Sequence, residues 1–144
     1  MDAAALHDHI RDNYDGVNVA ENEGDSFFIY DPDGDLPPER TFPFATIVTG
    51  DHYDTVSALD RPGAYRLNIG LTKATYTTLF GAAPTEFDYS AMDSLTPHPI
   101  YASQHWVSIV TPSAASREVI EPLLAEAYEF AVRKHTNQRA RHTH

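Results

Sequence analysis

His98 stands between Pro97 and Pro99, with Tyr101 three residues on. Two prolines fix the backbone on both sides of the imidazole, so a titratable ring is presented with little freedom, as a binding-site donor or a general base requires. Arg61, Arg66 and Asn68 form a second candidate set. Polar and apolar residues alternate through Tyr65-Arg66-Leu67-Asn68-Ile69, so a strand here turns Arg66 and Asn68 outward on one face, with Arg61 at the turn before. Such a cluster can grip a carboxylate or phosphate bidentately. Each set also has a structural reading: a histidine ring bonded to a backbone carbonyl at a sheet edge, and arginines paired with some of the chain's many carboxylates. His98, Tyr101, Arg66, Asn68 and Arg61 are therefore the ligand-binding candidates, and no residue is assigned a catalytic role.

Other chemistries fail on spacing. Asp31-Pro32-Asp33-Gly34-Asp35 begins like a calcium loop, but the sixth and twelfth positions, where an EF-hand needs Gly and Glu, are Leu36 and Phe42. His7 and His9 are two apart on a helical stretch and point in different directions, while His142 and His144 lie in the tail. His98 and His105 could converge with His52 or Asp60 only through the fold, since no metal-ligand spacing links them. Cysteine is absent, as are Gly-x-Ser-x-Gly, Ser-x-x-Lys and glycine-rich phosphate loops. No metal and no cofactor is expected.

The elements that must position the candidates can be read from periodicity and punctuation. Asp2 caps a first helix carrying Leu6, Ile10 and Tyr14 at four-residue spacing. Residues 17–20, 26–30, 44–49, 65–69 and 106–110 read as strands, and Thr72 opens a short helix ended by Gly81. Residues 82–97 show no clear period and read as surface loop. The last helix buries Ile120, Leu123, Leu124, Ala127, Tyr128 and Ala131. A proline inside a helix costs ~3 kcal/mol, so Pro122 places its start between Val119 and Glu121. Trp106, in the strand just before, is expected between the sheet and this helix, against Leu124 or Tyr128. Residues 1–135 form one domain; 136–144 lack an apolar anchor and are expected to fray. The fold class is α+β: a two-layer sandwich with an antiparallel sheet of about five strands and helices on one face.

Three blocks carry a family resemblance: Thr41-Phe42-Pro43-Phe44-Ala45-Thr46-Ile47-Val48-Thr49, Leu59-Asp60-Arg61-Pro62-Gly63 through Ile69, and His98-Pro99-Ile100-Tyr101 with Trp106-Val107. With the element order around them, they resemble the MmcQ/YjbR-like family of small bacterial α+β proteins, and more closely a related bacterial family of unknown function. The likeness spans roughly residues 26–134. It implies a two-layer fold like that of secretion chaperones, and it brings the label DNA-binding that MmcQ/YjbR-like proteins often carry.

Charge bears on that label. The net charge is −11, and it is unevenly spread: residues 1–60 hold 14 acids against two arginines, while 133–144 hold four bases and no acid. An acidic body repels phosphate backbones over a Debye length of about 8 Å, so nucleic acid is at best a weak partner, using the tail with Arg61, Arg66 and Arg117. No leader segment and no apolar run long enough to span a bilayer is present, so a soluble cytoplasmic protein without a membrane partner is expected. Three function classes remain. A non-enzymatic binding or chaperone-like module, with a protein or small-ligand partner, comes first. DNA binding is second, and a small-ligand or enzyme site around His98, Tyr101, Trp106 and Arg66 is third. Oligomeric state is not encoded in any of these features.

Overall fold

The computed structural model describes residues 2–50, 54–81 and 87–142. Its order is α1 (Ala3–Asn13), β1 (Val17–Asn22), β2 (Asp25–Tyr30), β3 (Ala45–Val48), β4 (Arg66–Gly70), α2 (Lys73–Phe80), β5 (Leu95–Pro97), β6 (Trp106–Val110) and α3 (Arg117–His142). The strands form one antiparallel sheet in the order β1-β2-β3-β4-β6-β5. This is an α+β architecture, with one strand more than the expected five.

Local chemistry sets the elements. The Asp2 carboxylate accepts from the Ala5 N–H at 2.8 Å and opens α1, which buries Leu6 and Ile10. Asn22 pairs with Asp25 across a two-residue hairpin in which Glu23 and Gly24 both take positive φ, the geometry that matches the twist of the flanking strands. Thr72 caps α2, and the N–H of Gly81, at φ 72°, closes its last turn on Thr77.

Alternation along the strands divides the sheet into two faces. Phe28, Ile47, Leu67, Ile69, Val107 and Ile109 point to one side, where α1 and α3 cover them with Leu6, Ile10, Ile120 and Leu124. The residues between them point to the other side, where Val48, Leu59, Ala64 and Val110 form a small buried apolar cluster.

Three expectations change. α3 begins at Arg117 and takes Pro122 inside it; the proline is exposed and near the helix start, so it forfeits one backbone bond where water can replace it. The helix continues to His142, through the segment where the missing apolar anchor predicts fraying. The loop expected over 82–97 contains β5, an edge strand too short for a period; its Pro97 sits where an edge tolerates a missing donor. Trp106 is only half-buried and lies on the face away from the main core, because its neighbour Val107 takes the core side. Tyr128 packs instead with Tyr14, Tyr30 and Phe44.

Candidate functional site

Strand register builds the second face. Thr46 of β3 lies beside Asn68 of β4, Asn68 beside Ser108 of β6, and Ser108 beside Thr96 of β5. All four are buried. The Ser108 hydroxyl donates to Asn68 Oδ1 at 2.7 Å, Asn68 Nδ2 donates to Thr46 Oγ1 at 3.0 Å, and Thr96 Oγ1 donates to the Ser108 carbonyl at 3.4 Å. Burying such groups costs free energy unless they are paired, and this row pairs them across four strands.

Arg66 sits one step along the same face, 2 % exposed. Its guanidinium grips Asp54 with both terminal nitrogens, at 3.1 and 2.9 Å, and donates to Ser57 Oγ at 3.0 Å. Its Nε–H is buried without a partner among the described residues. The strand face expected to turn outward is thus covered by the connection that brings Asp54 and Ser57 over it. Arg66 pairs with a carboxylate and also lies on a cavity wall.

His98 is 4 % exposed, more enclosed than a surface histidine. Its backbone N–H extends the ladder to the Trp106 carbonyl at 2.9 Å. Nδ1 accepts from the N–H groups of Ile100 and Tyr101, both at 3.0 Å, so the ring turns back on its own loop rather than donating to a carbonyl. Burial, and secondarily the Arg66 cation against the opposing pull of Asp54, push its pKa down to about 4. The ring is therefore neutral at pH 7, and with Nδ1 accepting, its proton resides on Nε2. Tyr101 lies tilted against the ring at 4.9 Å and Trp106 meets it edge-on at 6.5 Å. Trp106 in turn lies against Gly70, where a Cβ would come within 2.8 Å of the indole. Only glycine leaves room for that contact.

These groups border an open cavity of about 710 Å³. Arg66, Asn68, Thr46, His98, Tyr101 and Trp106 line its polar side, and Phe27, Phe42 and Ile100 its apolar side. Past the ends of β3 and β4 it reaches Ala127, Phe130 and Lys134 of α3, where the Lys134 ammonium sits 4.4 Å over the Phe130 ring. The volume lies within the range of about 300–1,000 Å³ usual for small-molecule sites.

The structure thus brings His98, Tyr101, Arg66 and Asn68 to one cavity and leaves Arg61 out. Arg61 donates to the carbonyls of Ala58, Ser57 and Ser90, tying two loops together, which consumes the fork expected to hold an anion. His105 packs on Tyr76, and His52 lies outside the described residues. Asp31–Asp35 is a turn closed by Asp31, whose carboxylate accepts from the Asp35 N–H. Thr46, Ser108 and Asp54 were not singled out by sequence. The signal for the first two was present: Ala45-Thr46-Ile47 and Val107-Ser108-Ile109 each put one polar residue between two core residues, in the phase of Asn68.

The chain belongs to a family of unknown function (DUF6194), whose model matches residues 1–140. No curated protein and no solved structure matches it. Among the described residues no helix is long and apolar enough to cross a membrane.

Proposed function

We propose that this protein is a non-enzymatic binding module whose cavity on the polar sheet face takes a small organic molecule. The observation that carries the reading is the convergence of His98, Tyr101, Arg66, Asn68 and Trp106 on one open cavity. Pre-ordered polar groups favour a site here, because groups already held by prolines and strand pairing incur little further ordering cost on binding. The same ordering speaks against catalysis: the hydroxyl of Ser108 is committed to Asn68, and the basic lone pair of His98 to two backbone N–H groups.

Kinship of residues 26–134 with MmcQ/YjbR-like proteins, and with it a bacterial and cytoplasmic setting, belongs to the same proposal, supported by the three sequence blocks and the element order. The DNA-binding label finds less support. Arg61 and Arg66 are turned inward and Arg117 pairs with Glu121, which leaves mainly the end of α3 to meet phosphates.

Trp106 is the only tryptophan and lies on the cavity wall, so its fluorescence reports occupancy directly. Titration with a library of small metabolites, followed by fluorescence and by amide shifts, should yield ligands that perturb Trp106, His98 and Asn68 together. Shifts confined to other surfaces, or tight duplex-DNA binding at physiological salt, would overturn the reading.

A further inference from the structure

The polar groups with spare capacity on the cavity wall are mostly donors. His98 is left with Nε2–H, since Nδ1 already accepts twice. Asn68 has used its carbonyl for Ser108 and one N–H for Thr46, which leaves an amide N–H. The Thr46 oxygen accepts from Asn68 and keeps its own proton to give. The Trp106 indole N–H has no hydrogen-bond partner among the described residues, and the Lys134 ammonium stands at the mouth over Phe130. Gln104 and the Tyr101 hydroxyl can each give or accept, and fixed acceptors are fewer. Among the described residues Asp54 is the only carboxylate lining the cavity, and both its oxygens are held by Arg66. At neutral pH the paired Arg66 and Asp54 cancel and His98 carries no charge, so Lys134 gives this wall a single positive charge in a chain of net charge −11.

The rest of the wall is aromatic. Phe27, Phe42, Phe44 and Phe130 join Trp106 and Tyr101 around the space. Flat aromatic walls favour a flat apolar body, stacked or edge-on. The spare donors of the wall favour a head that accepts hydrogen bonds and bears negative charge, because a donor left unmatched or a second cation would bring desolvation cost without return.

From this arrangement we infer that the ligand class is the aromatic carboxylates: a planar apolar body against the phenylalanines, with a carboxylate head received by His98 Nε2–H, Asn68 and Lys134. The inference rests on the reading of the cavity as a binding site, and it adds the sign and shape of what binds.

Three probes that share a phenyl ring and differ in the head separate the two claims: phenylacetate, phenylacetamide and phenethylamine. Each is titrated at low-millimolar concentration into the full chain, with Trp106 fluorescence and the indole N–H shift as readouts. Phenylacetate is expected to bind at least roughly tenfold more tightly than the amine, with the amide between them. Lys134→Gln, at an exposed helical position where glutamine fits, should weaken phenylacetate severalfold and leave the amide unchanged. If the amide or the amine binds at the same residues as well as the acid does, the carboxylate class is wrong while the site stands. If none of the three perturbs Trp106 or His98, both the class and the binding reading fall.

Discussion

The two faces of the sheet bury their residues equally and to different ends. On the helix side Phe28, Ile47, Leu67 and Ile109 are at most 2 % exposed, and so on the other side are Arg66, Asn68 and Ser108. The first set is closed over by α1 and α3. The second borders a cavity and is held by hydrogen bonds and one ion pair. Apolar burial gains free energy with each Å² removed from water; polar burial at best breaks even. One face therefore stabilises the fold, and the other spends little of that stability to keep donors in place.

The sharpest way to break this comparison is to truncate one residue on each face. Phe28→Ala removes a fully buried ring from the helix side and should cost about 3–5 kcal/mol in denaturant unfolding, with ligand response unchanged in whatever fraction stays folded. A loss under about 1 kcal/mol would mean that the helix face is not the main core. Arg66→Met, on the cavity side, should cost about 3 kcal/mol for a different reason: Asp54 would keep its charge with its partner gone. Adding Asp54→Asn should then recover part of that loss. If the double substitution is as unstable as Arg66→Met alone, the pair is not what holds the covering connection.

Acid should act on the cavity side first. The folded-state pKa of His98, about 4, lies below the ~6.5 of an unfolded histidine, so its contribution is complete above pH 6.5. As pH falls from there the unfolded chain takes up the proton first, and stability declines until the native ring also protonates near pH 4. The decline approaches an order of 2–3 kcal/mol for such a shift. His98→Gln should flatten the stability profile between those limits, measured as the difference from the unaltered protein so that titrating carboxylates cancel. Parallel profiles would show that the ring is more hydrated than its burial implies.

Much of this division was legible in the chain. The alternation from Tyr65 to Ile69 gave the two faces of β4, and the prolines around His98 marked an ordered ring. What could not be read was the cover. Whether a polar strand face meets water or a loop depends on where residues 54–64 fold back, a long-range contact that no local pattern encodes. Hence Arg66 was expected outward, and Trp106 was expected under α3. Gly70 held a clue to the second: a glycine ending a strand beside the only tryptophan provides the gap that an indole needs. β5 was invisible for a simpler reason, since three residues are too few to show a period. The end of α3 shows the reverse case, a helix where the side chains predict fraying. Amide exchange should be fast over residues 136–142 and slow over 120–131; uniform protection would show that the tail is anchored.

The smallest expected effect is also the most discriminating. Ser108→Ala removes the hydroxyl that donates to Asn68 Oδ1 and leaves that buried carbonyl unmatched, a loss of about 1 kcal/mol. Replacing the three residues linked side chain to side chain, with Thr46→Val, Asn68→Leu and Ser108→Ala, orphans no polar side-chain group, since Thr96 keeps the Ser108 backbone carbonyl, and apolar groups of similar shape fill the same space. Such a replacement is close to neutral when the hydrogen bonds serve only each other. The triple variant should accordingly be no less stable than Ser108→Ala alone, while its Trp106 response to phenylacetate falls by at least roughly tenfold, the converse of what Phe28→Ala does. A triple variant that unfolds readily would make the polar row part of the fold's foundation, and the distinction between the two faces would disappear. Full retention of phenylacetate binding would instead separate the row from the site, leaving His98 and Lys134 to hold the carboxylate without it.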